Sequence, residues 1–367
     1  MRKPILVLVR DLLFSSRIGE TAKRLGYPCR TARALEEFQA GIREQPGLIM
    51  LDLTAEALDL DSALRAVEAA GRPAPVLGWT THALWKTTRA LHDRCDRVVT
   101  RETLTAELPD LLRGYLEGVP TGSGGGHMAI QGSMVSFESG PDRLNAHLAR
   151  PGDAGPRPAV VVIQEIWGLT PHIKDVADRF AREGYVALAP DMYSREGGAP
   201  SEDLEILRKF AFTIPDRRIV ADLRAACAYL RRRPEVRADR IAAIGFCMGG
   251  AWALLLACHE PIQAVADFYG RVRYPELTDV KPKHPIDYAA DLRCPLLGIF
   301  AGADQGIPVE DARDLEAAGR RHGKTVEFHV YDGAPHAFFN DHRESYREKE
   351  ARDAWAKTLA FFGRCLK

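Results

Sequence analysis

Three side chains in this sequence combine a type and a spacing that suit nucleophilic catalysis: Cys247, Asp304 and His336. Cys247 lies in Gly245-Phe246-Cys247-Met248-Gly249-Gly250, between an apolar strand expected at 240–244 and an apolar helix opening at Ala251. Gly245 and Gly249 carry no Cβ, so strand and helix can close on each other and strain the residue between them. A thiol at such a turn is lifted above the sheet, beside the first N–H groups of a helix. Those groups favour a thiolate and can hold an oxyanion. The bland alternative is an inert buried cysteine in a β–α turn.

His336 follows a strand expected at 325–331, in Pro335-His336-Ala337-Phe338, and Asp304 follows one at 295–300, in Gly302-Ala303-Asp304-Gln305-Gly306. The order nucleophile, acid, histidine, each at the exit of a strand, is that of a Cys-Asp-His triad on a parallel sheet. The imidazole would take the thiol proton and return it, and the aspartate would fix the imidazole tautomer. Asp332 and Asp291 are rival acids, ranked lower because Asp304 alone sits at a strand exit among small residues. A fourth segment, Gln164-Glu165-Ile166-Trp167-Gly168, follows an early strand. A second oxyanion-hole N–H is expected there, alongside that of Met248. A glutamate beside a developing negative charge needs a role or a partner, and a salt bridge holding the loop is the simpler one.

Composition narrows the classes. Lysine plus arginine equals aspartate plus glutamate at 50 each, which gives no sign of nucleic-acid binding. No apolar run is long enough for a membrane span, and residues 5–9 are cut off by Arg10-Asp11, unlike a signal-peptide core. The 7 cysteines include no Cys-x-x-Cys pair, so free thiols in a reducing cytoplasm are expected. No clustered Cys/His spacing suggests a metal, and no organic cofactor is implied.

At 367 residues the chain is expected to form two domains. In 1–118, strands at 5–9, 47–53, 74–80 and 97–99 alternate with helices at 16–25, 61–70, 83–92 and 107–117. This alternation predicts a doubly wound parallel sheet of flavodoxin type. The stretch resembles a response-regulator receiver domain. The resemblance places Asp52 as phosphoacceptor at the end of the third strand, and Thr80 or Thr81 as the switch hydroxyl. Arg10-Asp11 stands where receivers carry two magnesium-binding acids, and Thr100-Arg101 where they carry a lysine. An arginine in place of a carboxylate removes a metal ligand and adds a competing charge. A scaffold or self-association role is therefore expected, without dependable phosphorylation. Residues 119–128, rich in Gly and Ser, read as a flexible linker. His127-Met128 resembles a cloning scar before an initiator Met, which makes the junction engineered; a natural Gly-rich linker is the alternative.

Residues 129–367 read as an α/β-hydrolase fold. A hairpin at 134–138 and 144–148 precedes strands at 158–164, 185–189, 240–244, 262–268, 295–300 and 325–331. Helices are expected at 170–184, 202–212, 215–232, 309–321 and 346–362, the first with Thr170 as N-cap, Pro171 in its first turn and Gly184 as its stop. The blocks Gln164-Glu165-Ile166-Trp167-Gly168, Pro190-Asp191-Met192-Tyr193-Ser194-Arg195, Gly245-Phe246-Cys247-Met248-Gly249-Gly250, Gly302-Ala303-Asp304 and Pro335-His336-Ala337-Phe338 resemble, in order, those of the dienelactone hydrolase (carboxymethylenebutenolidase) family.

The resemblance implies that Cys247, Asp304 and His336 are the triad, and that Glu165 pairs with the resting thiol and deprotonates it when substrate arrives. It implies an oxyanion hole from the N–H groups of Ile166 and Met248, with Arg195 binding a substrate carboxylate. Trp167, Tyr193 and Phe338 are expected around the substrate. Asn340 stands where dienelactone-cleaving members carry a second arginine, which points, with Trp167, Phe338 and Phe339, to a more apolar pocket. The expected activity is cysteine-dependent hydrolysis of a small-molecule lactone or ester through a thioester. The alternative is a signalling module in which a receiver-like half controls a hydrolase-like half.

Overall fold

The computed structural model describes residues 2–55, 58–81, 84, 87–92, 94–117, 130–153 and 155–367. The chain divides into two compact units, Met1–Ala129 and Ile130–Lys367. The expected linker at 119–128 lies outside the described residues.

The first unit alternates β1 (Ile5–Leu8), α1 (Leu12–Arg24), β2 (Cys29–Ala32), α2 (Leu35–Ile42), β3 (Leu48–Asp52), α3 (Leu60–Ala69), β4 (Val76–Thr80), α4 (Arg89–His92), β5 (Arg97–Thr100) and α5 (Arg101–Glu117). Its sheet has the order β2-β1-β3-β4-β5, parallel throughout. This is a common doubly wound order. β1, β3 and β4 are buried along their whole length, as apolar runs covered by helices on both faces must be. Some elements go beyond the sequence expectation. β2 reads Cys-Arg-Thr-Ala on a half-buried edge and carries neither alternation nor an apolar run; α2 follows it. α5 begins at Arg101, a full turn and more before the expected start. Of the helix expected at 83–92, residues 83, 85 and 86 lie outside the described residues; 84, 87 and 88 form turns, and only the last turn is helical, as α4.

The second unit opens with a hairpin of β6 (Ile130–Ser139) and β7 (Asp142–Pro151), longer at both ends than expected and closed by Gly140-Pro141. There follow β8 (Arg157–Ile163), α6 (Pro171–Arg182), β9 (Val186–Pro190), α7 (Leu204–Thr213), α8 (Asp216–Arg231), β10 (Val236–Phe246), α9 (Met248–His259), β11 (Ala264–Phe268), β12 (Leu296–Ala301), α10 (Val309–Arg321), β13 (Val326–Tyr331) and α11 (Glu348–Cys365). The sheet is mixed, in the order β13-β12-β11-β10-β8-β9-β7-β6, with β7 antiparallel to both neighbours. Thr170 caps α6 through Ile173 N–H, with Pro171 at its first position, as the sequence predicts.

Side-chain alternation sorts the strands onto two cores. Val161, Ile163, Ile241, Ala243, Val265 and Leu296 pack with α8, α9 and α10 on one face. Val160, Val162, Ala242, Ile244, Ala266 and Leu297 pack with α6 and α11 on the other. α9 is buried from Gly249 to Cys258, which explains why it is apolar all round instead of along one stripe.

The junction of β10 and α9 leaves no room for side chains at two glycines. A Cβ on Gly245 would run into the Gly249 backbone, and one on Gly249 into the Ile163 and Gln164 carbonyls at the end of β8. Gly245→Ala should therefore cost at least about 2 kcal/mol, because backbone on both sides must shift. Gly363→Ala, in α11 with open space around it, should stabilise by roughly 0.5–1 kcal/mol through helix propensity. Urea unfolding midpoints of the two variants test the contrast; equal effects would mean that the junction is looser than this packing requires.

Candidate active site

β10 lies between β8 and β11, so the turn at its end is central in the sheet. Cys247 occupies that turn with φ 56° and ψ −119°, a backbone region that strongly disfavours side chains. Strain of this kind costs about 1–3 kcal/mol and persists only where the surroundings impose it. Here the Cys247 N–H donates to Phe268 O at 2.9 Å, and the glycine contacts fix both flanks. The residue caps α9 and is half-buried, so solvent reaches it.

Asp304 and His336 arrive from the ends of β12 and β13. His336 Nδ1 lies 2.5 Å from Asp304 Oδ2. The other aspartate oxygen accepts the N–H groups of Gly306 at 2.8 Å and Ile307 at 3.0 Å, which locks the carboxylate in place. Burial would raise the Asp304 pKa, but the His336 bond and charge and these N–H groups hold it below its ordinary value. Burial likewise pulls the His336 pKa down. Hydrogen bonds to Asp304 and to the Cys247 side chain outweigh it and push the imidazole up to about 10. The structure thus brings Cys247, His336 and Asp304 into one chain of contacts. Asp332 and Asp291, the rival acids, are both exposed.

Glu165 follows β8, the other neighbour of the central strand, and is 2% exposed. Its Oε2 accepts the Asn340 side-chain amide at 2.7 Å, while Asn340 Oδ1 accepts His342 N–H at 3.0 Å. The two bonds fix which end of the amide faces the glutamate. Asn340 therefore does more than remove an arginine: it is the direct partner of Glu165, a role that sequence spacing does not reveal. The next residue, Asp341, anchors this segment through Arg179 at 2.5 Å and His172 at 3.1 Å. His172, Asp341 and His342 offer ligand atoms within 4.8 Å of one another, but a guanidinium already sits on their carboxylate.

The N–H groups of Ile166 and Met248 have no protein acceptor among the described residues, as an oxyanion hole needs. Tyr193 tethers this pair: its hydroxyl donates to Ile166 O at 3.0 Å and lies 3.9 Å from Met248 Sδ. Tyr193 and Phe338 are both fully buried, so neither lines the substrate space as expected. Phe338 packs against the Tyr269 and Tyr331 rings. Arg195 also differs from expectation. Its three guanidinium nitrogens go to Asp142 at 2.6 Å, Asp222 at 2.5 Å and Ser139 O at 3.2 Å, which pins the β6–β7 hairpin to α8. Asp222 is wholly buried, and that charge dictates where the arginine must be.

Trp167 stays half-buried with the Arg343 guanidinium 4.6 Å from its ring centre. Tyr269, at φ 43°, places its ring 5.1 Å from that of His336. In the first unit, Asp52 is buried and accepts the Thr54 hydroxyl at 2.6 Å. Arg101 pairs there with Asp11 and stacks over Phe14. Thr80 is buried beside Thr88, with 3.3 Å between their hydroxyls.

A mixed sheet with a strained Cys247 at its central strand and a histidine–carboxylate pair two and three strands away defines an α/β hydrolase. The profile of the dienelactone hydrolase family matches residues 144–366, and the chain belongs to that family. It is 40% identical over 222 residues to a Methylorubrum extorquens protein provisionally named carboxymethylenebutenolidase, covering 60% of this chain and 76% of that one. It is 38% identical over 223 residues to a Bradyrhizobium protein provisionally named 2-oxo-3-(5-oxofuran-2-ylidene)propanoate lactonase, covering 61% and 90%. The crystal structure of a Klebsiella pneumoniae protein provisionally described as a dienelactone hydrolase superposes with a TM-score of 0.62 at 38% identity, covering 64% of this chain and 99% of that one. No described helix is long and apolar enough to cross a membrane.

The His336–Asp304 pair carries a stability signature. A raised His336 contributes fully below its ordinary 6.5 and loses the contribution as pH rises through about 10. A lowered Asp304 contributes above its ordinary 3.8 and loses it as pH falls further. The unfolding free-energy gap between wild type and Asp304→Asn should thus be widest from about pH 5 to 6 and narrow above about pH 9. A gap that stays constant across that range would mean the two groups are not an ion pair.

Proposed function

We propose that the second unit hydrolyses a lactone or small carboxylic ester, with Cys247 as nucleophile and a thioester intermediate. The observation that carries this reading is His336, held 2.5 Å from Asp304 and pushed up in part by the side chain of a strained strand-end cysteine. With His336 already protonated at neutral pH, the thiol proton passes to Glu165, and the sulfur adds to the carbonyl carbon. The resulting oxyanion is held by the Ile166 and Met248 N–H groups. Collapse breaks the carbon–oxygen bond, and His336 donates a proton to the departing alkoxide, which in a lactone stays attached to the acyl chain. Water then adds to the thioester with His336 as base, and collapse releases the carboxylic acid and returns the thiol.

Support comes from the family membership and from the lactone named for the Bradyrhizobium relative. The 7 cysteines are all free, which suits a reducing, cytoplasmic setting. The two-domain reading, with 1–118 as a receiver-like module able to self-associate, is a proposal that the parallel five-stranded sheet supports. Phosphorylation-driven control has less support, because Arg101 already neutralises Asp11, the acid that would help to hold magnesium.

Cys247→Ala should abolish turnover of activated esters with an unchanged circular-dichroism spectrum. Cys247→Ser should keep below about 1% of kcat, because the same groups would be activating a much weaker acid. Undiminished turnover in Cys247→Ala would remove the cysteine from the mechanism.

A further inference from the structure

We propose that Asp267 is a positioning residue for the nucleophile: its carboxyl fills the seam between the first turn of α9 and the turn that leaves β11, and so fixes Cys247 and His336 relative to each other. This assignment rests on the hydrolase reading and adds to it a side chain that touches none of the reacting atoms.

β11 reads Ala264-Val265-Ala266-Asp267-Phe268, so one carboxyl interrupts an otherwise apolar strand. Asp267 lies between Gly245 of β10 and Gly298 of β12 and is fully buried. Its Oδ1 accepts Gly270 N–H at 2.8 Å. The same oxygen occupies the space that a Cβ would need on Gly250 or on Gly270, and a Cβ on Gly250 would also strike the Gly270 backbone. The carboxyl is thus a wedge with backbone on both sides. Three contacts carry its position to the site. Phe268, the next residue, accepts the Cys247 N–H through its carbonyl at 2.9 Å. Tyr269, held at φ 43°, sets its ring 5.1 Å from that of His336. Gly250 N–H donates to Cys247 O at 3.1 Å, which ties the wedge to the other side of the nucleophile.

The wedge has an electrostatic cost. Among the described residues Asp267 Oδ2 has no hydrogen-bond partner, and no charge acts on the carboxyl. Burial keeps Tyr269 neutral, and Arg271 turns away to Gly306 O at 3.0 Å. β10 from Ile241 to Phe246, β12, and α9 from Met248 to Leu256 present only uncharged side chains. Burial therefore pushes Asp267 up to about 7, opposed by the Gly270 N–H alone. An alanine here would avoid the desolvation cost, but it would leave the Gly270 N–H unpartnered and the seam open. Protonated, the carboxyl holds Gly270 without adding charge. Ionised, it sets a negative charge beneath the α9 N–H groups that favour thiolate and oxyanion, and it competes with both.

The test measures kcat for para-nitrophenyl butyrate in the full-length enzyme. At about pH 6, Asp267→Ala should lower kcat about tenfold with KM changed less than about twofold. Asp267→Asn, which keeps the acceptor and cannot ionise, should recover most of that loss. Between about pH 6 and about pH 8.5 the Asn-to-wild-type ratio of kcat should rise about fivefold, while the Asn-to-Ala ratio stays flat. Two measurements read the residue without turnover. Iodoacetamide alkylation of Cys247, followed on its own peptide, should slow about fivefold in Asp267→Ala and recover in Asp267→Asn. In urea unfolding, wild type should lose stability relative to Asp267→Asn as pH rises from about 4 to about 7, and no further above it. The reason is that a carboxyl with a raised folded pKa keeps its proton in the folded chain after the unfolded chain has released it. Wild-type kcat and alkylation rate in Asp267→Ala, or an Asn-to-wild-type ratio that does not change with pH, would overturn the proposal. Wild type that hydrolyses no ester, while the alkylation and unfolding results hold, would count against the hydrolase reading and still support the wedge.

Discussion

The second unit depends on the contact between the α9 backbone and the strand ends beneath it. Gly249 touches the carbonyls of Ile163 and Gln164, and Gly245 touches Gly249, with no atom to spare. That closeness has two consequences. It forces Cys247 into its unfavourable backbone angles, which lift the sulfur above the sheet. It also sets the loop after β8, with Glu165, Ile166 and Trp167, directly beside the first turn of α9. One packing constraint therefore places Cys247, Glu165 and the N–H groups of Ile166 and Met248 together.

The electrostatics follow from that arrangement. Three acids in this unit have a charged partner: Asp304 has His336, Asp341 has Arg179 and Asp222 has Arg195. An unpartnered buried charge is expensive, and the fold spends its arginines on preventing that. Arg195 is taken up in this way although sequence position suggests a substrate role.

Asn340 gives Glu165 a neutral partner: its side-chain amide donates to the carboxylate while its oxygen accepts His342 N–H, so both ends of the amide are fixed. Tyr193 is buried and ties the Ile166 carbonyl to the Met248 side chain, which keeps these two neighbouring segments in register.

Much of this molecule is written locally. The apolar runs of β8, β10, β11 and β12, the glycines around Cys247, and the Thr170-Pro171 start of α6 are short-range signals, and each forms the element that its spacing predicts. The order of Cys247, Asp304 and His336 along the chain is likewise legible, because parallel strands place their exits on one edge. β2 was not legible, since a short edge strand half open to solvent needs neither an apolar run nor alternation. Nor were the partners of Arg195, Asn340, Tyr269 and Arg343. A long side chain reaches whatever its neighbours leave unsatisfied, and which neighbours it has depends on how distant loops converge above the sheet. The sequence alone determined that a cysteine, a histidine and an acid would meet at the edge of an α/β sheet. Only the tertiary structure decided which partner each arginine took, because that depends on which buried charges the converging loops bring within reach.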